Sequence, residues 1–238
     1  MSLFLNQEDG YYSLTSTGTI ALVIIIVILI ALTALLRNKE SGTETKSTKA
    51  FSTKQLVFSA VAIALGFTTS YIKIIHMPWG GSVTLCSMLF ITMIGYWYGP
   101  KIGLICGFSY GILQFIQGGG GYILSPLQAC MDYIIAFAAL GLSGFFYKKE
   151  NGLIKGYLFA IFMRGLFHTI GGYLYWMDYM PDNFPKSLTA IYPIAYNYAY
   201  ILAEGVITVV ILLLPPVKNA ISNVKKMAIE KLKIIKNN

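Results

Sequence analysis

Four ionisable side chains lie inside long apolar stretches of this sequence: Asp132, Arg164, His168 and Glu204. Charged groups are costly in hydrocarbon, so such residues mark a functional site or pair with one another. On helices that rise about 1.5 Å per residue they form two layers. Asp132 and His168 fall roughly 8–12 Å from the lysine-poor ends of their helices, and Arg164 and Glu204 roughly 18–20 Å.

The shallower layer combines a carboxylate, an imidazole and, from Asn197 at a similar depth, an amide. Aromatic residues accompany it along the chain: Trp79, Tyr122, Tyr133, Trp176, Tyr192 and Tyr196. Aromatic faces attract cations and stack on heterocycles, while a carboxylate supplies charge and hydrogen bonds. We therefore predict a pocket for a small, flat, polar or cationic ligand.

The deeper layer holds one cation and one anion, Arg164 and Glu204, at similar depth. Opposite charges in a membrane helix bundle commonly pair. We expect a structural ion pair here, with a direct role of either residue in ligand binding as the alternative.

Several kinds of chemistry are not indicated. His76 is the only other histidine, and no HxxxH pattern accompanies it, which argues against a metal site. No GxxxxGK[ST] sequence occurs, so no phosphate loop is indicated. The one GxSxG match, GFSYG at 107–111, lies inside an apolar stretch and not at a strand-to-helix turn, so it does not indicate a serine nucleophile. We expect no metal, no cofactor and no enzymatic activity.

The composition requires these residues to sit in a membrane protein. Of 238 residues, 56% are apolar and only 12% charged, against about 25% charged in average globular domains. Seven stretches approach the roughly 20 helical residues needed to cross a bilayer. They lie near 18–36, 55–75, 84–98, 101–117, 127–147, 153–176 and 190–214.

The first stretch differs from the others because it is uninterrupted by polar residues and is followed by a polar, basic linker. The sequence thus predicts an all-α integral membrane protein with a six-helix core and one extra N-terminal transmembrane helix. The expected segments are an N-terminus over 1–17, an anchor over 18–36, a linker over 37–54, the core over 55–214 and a tail over 215–238.

Basic residues indicate the orientation. Fifteen of the 18 lysines and arginines lie in alternate segments: the linker, the turns after the third and fifth stretches, and the tail. The opposite loops, 76–83, 118–126 and 177–189, contain only Lys186. The positive-inside rule then places the N-terminus outside and the C-terminus in the cytoplasm. The formal charge of +8 is thereby explained by topology, and nucleic acid is not expected as a partner.

Small residues indicate where helices pack closely. Gly99, Gly103, Gly107 and Gly111 recur every four residues on one helix face, a pattern that lets a neighbouring helix approach. The weaker pair Ala60 and Ala64 lies on the first core helix.

Three stretches resemble the ThiT-type, thiamine-binding S-components of energy-coupling factor (ECF) vitamin importers. They are GYILSPLQACMDYIIAFAALGLSGFF at 121–146, RGLFHTIGGYLYW at 164–176 and IYPIAYNYAYILAEG at 191–205. The resemblance covers about residues 55–214 and implies six core helices with both ends in the cytoplasm.

The resemblance implies a role for individual residues. In that family an acid, the tyrosine after it and an upstream loop tyrosine contact the vitamin, and they match Asp132, Tyr133 and Tyr122. Further matches to ligand-binding positions are His168, Trp176, Tyr192, Asn197 and, more loosely, Trp79. Small residues on the first core helix dock the shared coupling subunit, which suggests Ala60 and Ala64.

Two matched positions depart from the family. Asp132 stands where Glu is usual, and Arg164 stands where Lys is usual. The shorter carboxylate leaves open whether the ligand is thiamine itself or a related pyrimidine or thiazole.

We therefore expect a bacterial plasma-membrane S-component that captures thiamine or a close analogue from outside. The resemblance implies that a coupling subunit and two ATPases power the uptake. The alternatives are an S-component for another vitamin, a proton-coupled secondary transporter that uses Asp132, Arg164 and Glu204, and an intramembrane enzyme that uses Asp132 and His168.

Overall fold

The computed structural model describes residues 5–8, 11–18, 20–21, 24, 51–118 and 123–229. The predicted anchor over 18–36 and the linker over 37–54 lie largely outside these residues. The same holds for the last part of the tail, 230–238.

Helices make up most of the described chain. They are α1 (Thr53–Ser70), α2 (Ser87–Tyr98), α3 (Pro100–Gln117), α4 (Pro126–Phe146), α5 (Gly152–Tyr175), α6 (Tyr192–Leu213) and α7 (Pro215–Ile229). Short 3₁₀ turns lie at Pro78–Gly80, Met177–Tyr179 and Lys186–Ile191. The start of α1 is fixed by a capping box, in which Ser52 and Gln55 each accept a hydrogen bond from the other's backbone N–H.

Two short antiparallel hairpins correct the all-α expectation. Strands β1 (Leu5–Glu8) and β2 (Tyr11–Leu14) pair near the N-terminus. Strands β3 (Lys73–His76) and β4 (Ser82–Thr84) pair between α1 and α2. The second hairpin takes up residues that the sequence assigned to the ends of the stretches 55–75 and 84–98, so α1 ends and α2 begins inside those boundaries.

Three described segments are long and apolar enough to cross a membrane: Pro126–Phe146, Gly152–Tyr175 and Lys186–Leu213. The predicted count of seven spans is therefore not confirmed. One reason is that α2 has 12 residues, which corresponds to a length of only about 18 Å.

The glycine stripe of α3 packs directly against α4, as the sequence predicted. A Cβ added at Gly103 would come within 2.7 Å of the Gly141 carbonyl oxygen, and one at Gly107 within 2.6 Å of the Phe137 carbonyl oxygen. Only glycine lets the two backbones approach this closely. This contact sets the position of α4, the helix that carries Asp132.

The C-terminal helix α7 turns its apolar side toward the bundle. Ile221 and Val224 pack against the core, and Ala228 is buried. Lys225 Nζ donates a hydrogen bond to the Tyr96 hydroxyl at 2.7 Å.

Candidate functional site

A cavity of about 190 Å³ opens among α1, the second hairpin, α3, α4, α5 and α6. Seven of the nine ligand-binding residues that the sequence predicted line it: Asp132, Tyr133, Arg164, His168, Trp176, Tyr192 and Asn197. Residues far apart in the chain thus meet around one space, as their depths in the helices suggested.

Asp132 contacts three other side chains of the cavity wall. Its Oδ2 accepts hydrogen bonds from Gln128 Nε2 at 2.6 Å and from Trp176 Nε1 at 3.0 Å. Its Oδ1 lies 3.4 Å from His168 Nδ1. The carboxylate therefore orients an imidazole and an indole while keeping hydrogen-bonding capacity on Oδ1.

A π-helical segment, Cys130–Ile135, carries Asp132 and Tyr133. Such segments are rare inside α-helices and frequently occur at functional sites. The backbone of this segment packs closely against α3, because a Cβ added at Gly111 of α3 would collide with the Tyr133 carbonyl oxygen.

His168 is bonded on both ring nitrogens. Nδ1 faces Asp132, and Nε2 accepts a hydrogen bond from Arg164 Nε at 3.4 Å. Edge-to-face contacts with Phe137 and Tyr200, at ring-centroid distances of 6.4 and 6.3 Å, hold the ring on two further sides. The imidazole orientation is thus fixed by four neighbours.

The predicted ion pair between Arg164 and Glu204 is wrong. Within the described residues, the ion-pair contact is the one between His168 and Asp132. The Arg164 guanidinium instead lies over the Phe137 ring, 4.2 Å from its centroid.

The Glu204 carboxylate binds the segment at the start of α2. Its carboxylate accepts hydrogen bonds from the Thr84 backbone N–H and hydroxyl, the Ser87 hydroxyl and the Met88 backbone N–H, at 2.6–3.2 Å. A carboxylate is favoured at a helix N-terminus because the N–H groups there lack partners in the helix. With four donors supplied, Glu204 needs no arginine.

The wall formed by α6 is aromatic. Ring contacts run from Phe184 to Tyr192, Tyr196 and Tyr200, at centroid distances of 4.9, 5.7 and 6.2 Å. Beside this row, Asn197 Nδ2 donates to the backbone carbonyl of His168 at 3.2 Å. That bond ties α6 to α5 at the level of the imidazole.

Residues 56–223 match the family described as thiamine transporter protein (Thia_YuaJ). The chain belongs to this family. It is 31% identical over 171 residues to the thiamine transporter ThiT of Bacillus subtilis, which covers 66% of this chain and 85% of that protein. It is 35% identical over 120 residues to ThiT of Lacticaseibacillus paracasei, covering 44% and 58%.

A solved structure of ThiT from Listeria monocytogenes has the same fold as this thiamine transporter family member. The TM-score is 0.53 at 24% identity, over 68% of this chain and 94% of that one. The family match includes all the helices that line the cavity.

Two predicted residues are not placed by the structure. Trp79 lies in the 3₁₀ turn Pro78–Gly80, but its side chain is outside what is described, and Tyr122 falls in the undescribed segment 119–122. Their roles stay predictions.

The sequence prediction missed several residues of the site. Gln128 is 1% exposed and bonds Asp132, a contact that its i−4 spacing could have indicated. Phe137, Tyr200 and Lys73 also line the cavity. Nothing in the sequence signals that Thr84 and Ser87 reach Glu204, because a hairpin brings them there.

Proposed function

We propose that this chain binds thiamine or a close analogue in the cavity around Asp132 and delivers it across the bacterial plasma membrane. The observation that carries the proposal is the convergence of Asp132, His168 and Trp176 beside an aromatic wall, in a member of the thiamine transporter family. Thiamine is a flat, cationic molecule with two heterocycles, which suits this combination.

Four charged side chains line the cavity: Asp132, Glu204, Arg164 and Lys73. With a neutral His168 their formal charges cancel, so a cationic ligand would depend on the Asp132 carboxylate beside it and not on the net charge of the cavity. Aromatic rings of α6 and Trp176 would contact the faces of the heterocycles, while Asp132 Oδ1 and Asn197 face their polar edges.

We propose further that the chain is the S-component of an ECF importer, with a coupling subunit and two ATPases as partners. Its sequence contains no nucleotide-binding motif, which agrees with separate ATPase subunits that supply the energy. Ala60 and Ala64 are exposed on the outer face of α1, where small side chains let a partner helix approach. The N-terminus would lie outside and the C-terminus in the cytoplasm.

Uptake of radiolabelled thiamine tests the coupling. We expect uptake in cells that express the ATPases and coupling subunit together with this chain. We expect none by the purified chain alone in proteoliposomes under a proton gradient. Uptake by the chain alone would show a secondary transporter instead, and a chemically altered ligand in mass spectra would show an enzyme.

A double variant tests whether Ala60 and Ala64 form the docking face for the coupling subunit. Replacing both Ala60 and Ala64 with Leu should abolish uptake and leave thiamine binding intact, because the added side chains would block a close helix approach. The control is Val206→Leu on α6, an enlargement of a side chain that is 63% exposed. Normal uptake by the double variant would rule this face out.

A further inference from the structure

Asp132, His168 and Arg164 form a line of contacts along the cavity wall. The Arg164 Nε–H donates to His168 Nε2, and a guanidinium can only donate. His168 Nε2 must therefore carry a lone pair. The proton of a neutral ring then sits on Nδ1, where it faces the Asp132 carboxylate at 3.4 Å.

We propose that Arg164 is a positioning residue that holds His168 as a neutral imidazole with its proton on Nδ1. The consequence is that a cationic ligand meets an uncharged ring. This inference rests on the proposed function for its ligand, but the state of the imidazole can be measured without any ligand.

Arg164 cannot easily be displaced from this role. Its side chain is 9% exposed and is held over the Phe137 ring, and arginine stays protonated in proteins. A second proton on His168 would remove the acceptor for the Nε–H. It would also bring two cations into contact where the low dielectric strengthens repulsion.

The other groups around His168 do not replace Arg164. The titratable groups in contact with the ring are Asp132 from α4, Arg164 on its own helix and Tyr200 from α6. Other titratable residues also line the cavity: Tyr133, Tyr196, Glu204 and Lys73. Asp132 favours a protonated imidazole; burial of the ring opposes it, and among the side chains that contact the ring Arg164 opposes it as well.

The charge of the imidazole changes the charge of the site. With His168 neutral, the four charged side chains that line the cavity, Asp132, Glu204, Arg164 and Lys73, balance one another. Protonation of His168 would add a positive charge that repels a cationic ligand. A neutral ring also offers its face for stacking without repelling the ligand.

Nitrogen NMR of the full-length protein labelled with ¹⁵N-histidine tests the assignment directly. The chain has 2 histidines, so His76→Asn leaves only the signals of His168. We expect a protonated Nδ1 and an unprotonated Nε2 from pH 7.5 to 5.5. A doubly protonated ring, or a proton on Nε2, at pH 7.5 would overturn the proposal.

Variants at Arg164 separate positioning from a purely structural role. In Arg164→Met, Nε2 loses both its donor and its cationic neighbour, so His168 should take up its second proton at a higher pH than in the wild type. Thiamine affinity should then fall by about tenfold between pH 7.5 and 5.5. Arg164→Lys, which keeps a cationic donor, should restore the flat profile of the wild type.

The matched control is Lys155→Met, which removes an exposed cation from the same helix, away from the cavity. Its NMR signals and pH profile should follow the wild type. If Arg164→Met behaves like Lys155→Met in both measurements, Arg164 does not set the state of His168. If the NMR results are as expected but thiamine binds at no pH, the ligand assignment fails and the imidazole assignment stands.

Discussion

Asp132 contacts Gln128, His168 and Trp176, although its side chain is one methylene shorter than the glutamate that is usual at this position in ThiT-type S-components. Gln128 and Trp176 both donate to Oδ2, so the protein itself anchors the shorter carboxylate. Oδ1 is the atom left to face His168 and the cavity. At this scale, ligand recognition depends on donors that hold the acid in place.

Replacing Gln128 with Leu tests this anchoring. Asp132 should lose one of its two Oδ2 donors, and thiamine affinity should fall by about 3- to 10-fold, as expected for one hydrogen bond to a charged acceptor in a partly compensated site. Calorimetric titration measures the change. Leu127→Ala, one residue earlier and 61% exposed, is the control. Equal affinities in the two variants would contradict the role of Gln128.

Glu204→Gln tests the carboxylate at the start of α2. The amide keeps one acceptor oxygen but loses the charge and half of the acceptor capacity, so unfolding free energy should drop by about 1–3 kcal/mol. Thermal unfolding in detergent measures it, with the exposed Glu150→Gln as control. The loss of stability should exceed the loss in ligand affinity; unchanged stability with abolished binding would instead assign Glu204 to the ligand.

The sequence predicted single residues well where helix depth alone decides their place. Asp132, His168, Trp176 and Asn197 lie around one cavity, as depth indicated. The same reasoning failed for Glu204, because depth does not reveal that a hairpin residue, Thr84, reaches the carboxylate first.

At the scale of elements, the helix boundaries near the second hairpin could not be predicted from hydropathy. The run from Tyr71 to Ile75 is apolar except for Lys73 and extended the predicted span to residue 75. In the structure α1 ends at Ser70 and β3 begins at Lys73, with its residues exposed. Isoleucine suits a strand as well as a membrane helix, so the composition is ambiguous. The π-helical segment around Asp132 has no sequence signal either.

Gly107→Ala tests the contact between α3 and α4. The new methyl group would meet the Phe137 carbonyl oxygen at 2.6 Å and Ala138 Cα at 2.9 Å, both backbone atoms that must move. We expect a loss of about 1–3 kcal/mol in stability, typical of overpacking. Ligand binding should weaken as well, because α4 carries Asp132. Leu104→Ala, on the exposed side of α3, is the control for thermal unfolding, and equal stability of the two variants would contradict the close packing.

At the scale of the whole molecule, the family follows from the order and spacing of Asp132, His168, Trp176 and Asn197, and the match over 56–223 confirms it. The number of membrane spans does not follow as simply. The 12-residue helix α2 is too short to cross a bilayer, and its position depends on the bundle around it.

Cysteine labelling tests the predicted orientation. In a variant without Cys86, Cys106 and Cys130, single cysteines replace Lys186 or Lys218, both exposed. A membrane-impermeant maleimide should label position 186 in intact cells and position 218 only after permeabilisation, as the positive-inside rule requires. Labelling in the reverse order would invert the topology.

Titration of the purified full-length protein with thiamine tests the central claim most directly. We predict saturable binding of one thiamine per chain, followed by calorimetry and by quenching of tryptophan fluorescence. Asp132→Asn should weaken it by about 10- to 100-fold, the effect of removing a charged hydrogen-bond partner, and the exposed Asp178→Asn should leave it unchanged. No saturable binding of thiamine, its phosphate esters or its pyrimidine precursor would contradict the account.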